Sequence, residues 1–182
     1  DASPLAYNRA ALYSGKALSF DGVNDSVSTS LALTSDEVSI SFYLNWDDVG
    51  TQNIGFICEG SANDKMMIHT GAGGAGVNGL QIALNVTNYS VPQIISEGWN
   101  HYLITSNRTN LNIYKNGVLF DSRTTDAGAV GITALTLGIR PIGSAYALDG
   151  KLSNFKIFNT ALTPAQIADL YNFPEKIVPT GV

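Results

Sequence analysis

A single cysteine, Cys58, leaves the chain unable to close an internal disulfide or build a thiolate metal cluster. Set in an apolar stretch after Ile54 to Ile57, it reads as a small buried hydrophobe. Charge is scarce, 14% of residues against 45% hydrophobic, which excludes a disordered chain. The net charge of −5 carries no basic run, so the phosphate-neutralising surface of a nucleic-acid binder is missing. No apolar stretch approaches the roughly 20 residues of a membrane-spanning helix, so no membrane insertion is expected. The first residue is Asp1, with neither an initiator Met nor a signal peptide, which reads as a processed product or a domain of something longer.

Catalytic residue types are thin as well. The four Glu (Glu37, Glu59, Glu97, Glu175) are isolated, and none has an acidic partner two residues away on a predicted strand. A polysaccharide hydrolase needs two carboxylates held at a fixed separation, so that chemistry is not expected. Asp47-Asp48 follows a strand end and reads as a polar turn. His69 and His101 are the only histidines, and no Ser or Cys stands beside His101 as a nucleophile. No catalytic residue is assigned, and a hydrolase or lyase is the least favoured class.

What the chain has is turns and alternation. Eighteen Gly, with abundant Ser, Thr and Asn, imply many short elements joined tightly. Residues Ser39 to Trp46 alternate strictly, with Ile40, Phe42, Leu44 and Trp46 on one face and Ser39, Ser41, Tyr43 and Asn45 on the other. That period of two marks a strand with one buried face. Further strands are expected at Ala17–Phe20, Ser26–Ser30, Gly55–Cys58, Lys65–Thr70, Gly79–Val86, Gln93–Ile95, Trp99–Ser106, Ala134–Ile139 and Leu148–Phe158. Leu111–Tyr114 and Val118–Asp121 flank Asn116-Gly117, the strongest short hairpin signal, because both residues tolerate positive φ.

One helix is expected: Thr163 caps it, Pro164 takes its first position, Gln166 closes a capping box and Pro174 stops it. Ile167, Leu170 and Tyr171 give it a narrow apolar stripe. Gly71 to Gly76 satisfies the dinucleotide-binding glycine pattern, but the alternating Leu80–Leu84 follows where that mechanism needs a helix, so a flexible inter-strand loop is expected. Many short strands with one helix imply an all-β sandwich of two antiparallel sheets. Residues 1–182 read as a single domain with its core at about 17–173, a short N-terminal segment and an extended C-terminal tail. Sequons at Asn24, Asn85, Asn88 and Asn107 are frequent enough to arise by chance.

Five motifs in order resemble the laminin-G-like jelly-roll domain of the concanavalin A-like lectin/glucanase superfamily. They are Ala17-Leu18-Ser19-Phe20-Asp21-Gly22 with Asp25, the aromatic strand Ile40–Trp46, and Trp99-Asn100-His101-Tyr102-Leu103. The hairpin Leu111–Gly117 and the closing Leu148–Leu152, Lys156–Asn159 and Ala161–Thr163 complete the set. The resemblance implies a concanavalin A-like jelly-roll sandwich with one short C-terminal helix, and a structural role for His101 beside Trp99.

It also implies a non-catalytic binding or adhesion module, lectin-like, recognising glycans or a surface receptor within a larger extracellular assembly. Sugars stack on exposed aromatics, which makes Tyr43, Tyr89 and Tyr146 the candidate ligand-binding residues. Relatives often bind calcium, an ion that takes several oxygen ligands. The resemblance makes the first and last strands neighbours, so Asp21, Asn24, Asp25 and Asp149 are the candidate calcium ligands, with ordinary Asx turns as the alternative. Ser153 and Asn154 stand where many relatives carry acids. A second expectation is a virion structural protein, such as a phage fibre, head decoration or capsid-associated domain with protein neighbours. The two expectations place the chain outside the cell or on a virion surface.

Overall fold

The computed structural model describes residues 17–51, 53–61, 65–71, 75–124, 129–141 and 146–176. The N-terminal segment, the tip of the Gly-rich stretch at 72–74 and the C-terminal tail expected from the sequence lie outside the described residues.

Among the described residues, twelve strands precede one helix. They are β1 Leu18–Asp21, β2 Val27–Ser35, β3 Val38–Trp46, β4 Phe56–Gly60, β5 Met66–Thr70 and β6 Leu80–Leu84, then β7 Thr87–Val91, β8 Asn100–Ser106, β9 Asn110–Lys115, β10 Val118–Thr124, β11 Val130–Leu137 and β12 Asp149–Phe158; the helix α1 spans Pro164–Asn172. Two six-stranded sheets form, in the orders β1-β12-β3-β8-β9-β10 and β2-β11-β4-β5-β6-β7. Every pairing is antiparallel, as a jelly-roll sandwich requires.

The sequence period sets the core. Ile40, Phe42, Leu44 and Trp46 of β3 enter the space between the sheets, where they join Ile57, Ile68, Ile82, Tyr102, Ile104, Ile113 and Leu152. Cys58 packs in the same core, and burial pushes its thiol pKa up to about 12. The hairpin turn between β9 and β10 takes φ 51° at Asn116 and 79° at Gly117, the left-handed pair that Asn-Gly predicts. The loop after Thr70 leads into β6, not into a helix, so it cannot present a helix N-terminus to a pyrophosphate.

Two sequence expectations are corrected. Gln93–Ile95 is not a strand: Pro92 lacks an N–H, Gln93 takes φ 54°, and the chain turns while Ile94 and Ile95 drop into the core. The strand on that edge is β7, which returns from Asn85 and Val86, both at positive φ.

The second correction concerns the other face of β3, which alternation assigned to solvent. Helix α1 and its lead-in cover it. Ser39 Oγ donates to the Thr160 carbonyl and accepts from Leu162 N, pinning the lead-in to the strand. The capping box at Thr163 and Gln166 starts the helix, which buries Ile167 and Leu170 against Leu103 and Tyr114. His101 lies beneath it, fully buried, with Nε2 bonded to Ser41 Oγ at 2.8 Å and its ring against Tyr43 and Tyr171. Burial and the nearby Lys156 charge lower its pKa to about 3, so the ring is a neutral structural group.

Candidate functional site

Antiparallel register brings distant carboxylates to one end of the sandwich. Asp21 closes β1 directly opposite Asp149, which opens β12. Gly150 pairs with Trp46, the last residue of β3, so Asp47 and Asp48 emerge beside Asp149. Asp47 N donates to the Asp149 carbonyl at 3.0 Å and Gly22 N to the Leu148 carbonyl at 3.0 Å, which locks the three strand ends together. The lead-in to β4 and the hairpin after β11 complete the walls. A cavity of about 480 Å³ results, lined by Asp21, Gly22, Asp48, Asn53, Ile54, Tyr146, Ala147 and Asp149. Its volume falls within the usual range for small-ligand sites.

The aromatic wall is supported from below. Tyr146 is 38% exposed, and its ring lies 6.1 Å from that of buried Phe56 at an interplanar angle of 25°. Phe56 stacks in turn on His69, with centroids 4.9 Å apart. The hairpin carrying Tyr146 is held by the Ile139–Ala147 bridge and by Arg140 N donating to the Tyr146 carbonyl. Arg140 also reaches down to sheet residues, with Nε 3.7 Å from the buried Glu59 carboxylate and the guanidinium 5.5 Å from the Phe56 ring. Tyr146 is therefore held as a platform by the sheet beneath it.

The acidic wall carries mutual repulsion. The Asp149 pKa is raised, first by partial burial and then by Asp48, Asp47 and Asp21, with Lys151 opposing. Lys151 Nζ itself stands 3.9 Å from Asp47, both half exposed, a pair of little energetic weight. Because folding raises the Asp149 pKa, its charged form costs stability at neutral pH, and that cost lifts as pH falls through the raised value. A carboxylate that weakens the fold where it stands is the kind of group a binding site retains.

Of the seven residues expected from sequence, the fold gathers three here: Asp21, Asp149 and Tyr146. Asn24 and Asp25 do not line the cavity. Their turn closes on itself, with Asp21 Oδ1 accepting from Val23 N at 2.9 Å and Asn24 N at 3.4 Å, and Asp25 Oδ2 accepting from Asp21 N at 3.1 Å. Tyr43 is corrected: it lies under α1, 4% exposed, and its hydroxyl donates to the Tyr171 carbonyl at 3.0 Å. Tyr89 is corrected too, because it sits on β7 facing the core, 7% exposed. Asp48, Asn53 and Ile54 were not expected. The only signal for Asp48 was its place just past the end of a strand that the closing strand pairs with.

Calcium takes six to eight oxygen ligands. Asp21 already spends one oxygen on two backbone N–H groups, and among the described residues no three His, Cys, Asp or Glu side chains are placed to hold a metal ion. As placed, the residues do not fit a calcium ion. Melting temperatures in chelator and in millimolar calcium are therefore expected to agree. A rise with calcium that Asp149→Asn removes would show instead that the carboxylates close on the ion.

The profile of a laminin-G-type family, described as the concanavalin A-like lectin/glucanases superfamily, matches residues 21–168, and the chain belongs to this family. Among curated proteins none matches the sequence. Solved structures with the same fold include the heptameric SAP-like pentraxin of Limulus polyphemus, at 16% identity and TM-score 0.69 over 85% of this chain and 81% of that one. The ligand binding domain of botulinum neurotoxin serotype D, crystallised with N-acetylneuraminic acid, aligns at 19% identity and TM-score 0.65 over 85% of this chain. A Bacteroides ovatus protein named as a candidate for carbohydrate binding aligns at 17% identity and TM-score 0.65 over 82%. The chain spans 41% and 45% of those last two chains. At these identities the likeness is one of fold. Two of these three structures are named for ligand or carbohydrate binding, and no helix among the described residues of this chain is long and apolar enough to cross a membrane.

Proposed function

We propose that the chain is a non-catalytic glycan-binding module whose ligand sits in the cavity between Tyr146 and the carboxylates of Asp21, Asp48 and Asp149. The observation that carries this reading is the pairing of a braced, half-exposed aromatic ring with a rim of acceptors and one amide, Asn53, around a cavity of about 480 Å³. A sugar offers an apolar face and a ring of hydroxyls. The Tyr146 ring suits the first, and carboxylate and amide oxygens accept from the second in charge-assisted bonds. Membership of a lectin-like family and likeness to a toxin domain crystallised with a sugar support the same reading. The module would act outside the cell, where glycans are displayed.

The gathered carboxylates also invite a hydrolytic reading, and their environment argues against it. A glycosidase acid keeps its proton near neutral pH because an apolar pocket raises its pKa to about 6. Asp149 is only partly buried and lies on a rim shared with other carboxylates, not in an apolar pocket. Asp21 spends one carboxylate oxygen on the backbone N–H groups of Val23 and Asn24. The acceptors are set for binding. Nothing at the site favours the particle-component expectation, which rests on composition.

A glycan array followed by titration of the strongest hit tests the proposal. Tyr146→Ala is expected to weaken binding at least about tenfold, equivalent to about 1.4 kcal/mol, while leaving the melting temperature within a few degrees. Unchanged affinity in both Tyr146→Ala and Asp149→Asn would place the ligand elsewhere.

A further inference from the structure

Resting on that reading, we infer that the cavity selects glycans bearing a free amine, such as unacetylated 2-amino-2-deoxy sugars, over their acetylated counterparts and over acidic sugars. Among the described residues, the cavity lining holds three carboxylates, one amide and one phenol, and no Lys or Arg. Two cations at its margin are occupied: Lys151 faces Asp47, and Arg140 is held over Phe56 and against Glu59. No described residue of the lining therefore offers a counter-charge to a sugar carboxylate. An ammonium group beside the Asp149 carboxylate does the reverse. It supplies positive charge, relieves the repulsion that Asp48, Asp47 and Asp21 exert on Asp149, and brings three N–H donors to a rim of acceptors.

Acetylation removes both the charge and two of those donors. A sialic acid or uronic acid would bring a fourth carboxylate against three, in a partly enclosed space where like charges are poorly screened. The toxin domain crystallised with N-acetylneuraminic acid shares this fold, yet the charge of the present cavity is matched to the opposite class of sugar. Tyr146 contributes the part of the site that is indifferent to charge, because stacking on its ring needs only the sugar's C–H face.

Titration of the whole chain with fully deacetylated chitotetraose, acetylated chitotetraose and sialyllactose tests this in slightly acidic buffer, where the amine is protonated. The deacetylated tetramer is expected to bind about tenfold or more tighter than the acetylated one, with sialyllactose silent. That advantage should shrink in about 1 M salt, where the Debye length is about 3 Å. It should also shrink in Asp149→Asn and persist in Asp36→Asn, which removes the same charge at the opposite end of β3, where Asp36 pairs with Arg108. Equal binding of both tetramers, lost in Tyr146→Ala, would overturn the amine selectivity and leave the cavity as the glycan site. Equal weakening by Asp36→Asn and Asp149→Asn would also overturn it, since attraction to the overall negative charge would then account for the preference. Binding of either tetramer that Tyr146→Ala does not touch would overturn the cavity reading itself.

Discussion

Truncating Phe42 to Ala is expected to cost about 3–5 kcal/mol of folding stability, the range for removing a buried aromatic ring. Phe42 sits at the middle of β3 with no exposed surface. Its ring lies 5.7 Å from Tyr102 across the strand pair and 6.1 Å from Phe155, nearly parallel to the latter at 18°. Neighbouring strands flank β3 on both sides, β12 on one and β8 on the other, so the sheet cannot close inward over the vacated space. Most of the lost contact therefore remains as a cavity. Urea or guanidinium unfolding with a two-state fit measures the effect. A loss below about 1 kcal/mol would mean that the ring is not held in a close-packed interior, and the phase of β3 would be wrong.

That phase was legible in the sequence because it depends only on period. Ile40, Phe42, Leu44 and Trp46 must share a face whatever the rest of the chain does. The hairpin at Asn116-Gly117 and the helix begun by Thr163 and Gln166 were legible for a related reason: each is specified within a few residues by local backbone chemistry. The opposite face of β3 was not legible in this way. Ser39, Ser41 and Tyr43 look solvent-facing by composition, and only the return of the chain after Phe158 covers them. Strand β7 shows the same limit. Thr87 to Val91 carries a polar pattern, and its strand character comes from pairing with Leu80–Leu84.

The candidate site was legible in part for the same physical reason. Asp21 and Asp149 were paired through the resemblance, which supplied the one non-local fact needed, that the first and last strands are neighbours. Asp48 required a second non-local fact, that β12 lies between β1 and β3. Local spacing shows no carboxylate pair within any one strand. It could not exclude carboxylates converging from three strand ends. Tyr146 and Tyr43 were equal candidates by residue type, and only the course of two covering segments separated them. One hairpin lifts Tyr146 over Phe56, whereas one helix buries Tyr43.

The second large effect is expected at Gly138, which joins the end of β11 to the hairpin that carries Tyr146. Gly138 takes φ +87°, a conformation that side chains rarely adopt, and its carbonyl accepts from Leu148 N at 2.7 Å. A Cβ built there would overlap the Phe20 ring and stand 2.9 Å from the Asp25 carbonyl. Gly138→Ala therefore brings left-handed strain of about 1–2 kcal/mol and overpacking of about 1–3 kcal/mol, a loss of about 2–5 kcal/mol together. Phe20 is buried and precedes Asp21, so the ring cannot retreat without moving the strand end that lines the cavity. Glycan affinity should fall with stability, even under conditions where the variant is fully folded. Gly131→Ala, on the same β11, is the control: a Cβ there meets nothing within 4 Å and the backbone is not left-handed. It should be neutral or stabilising by up to about 1 kcal/mol, since Ala loses less backbone freedom on folding. Equal stability of the two variants in denaturant unfolding would show that Phe20 does not pack on Gly138. The coupling of this glycine to the Asp21 wall would then fall with it.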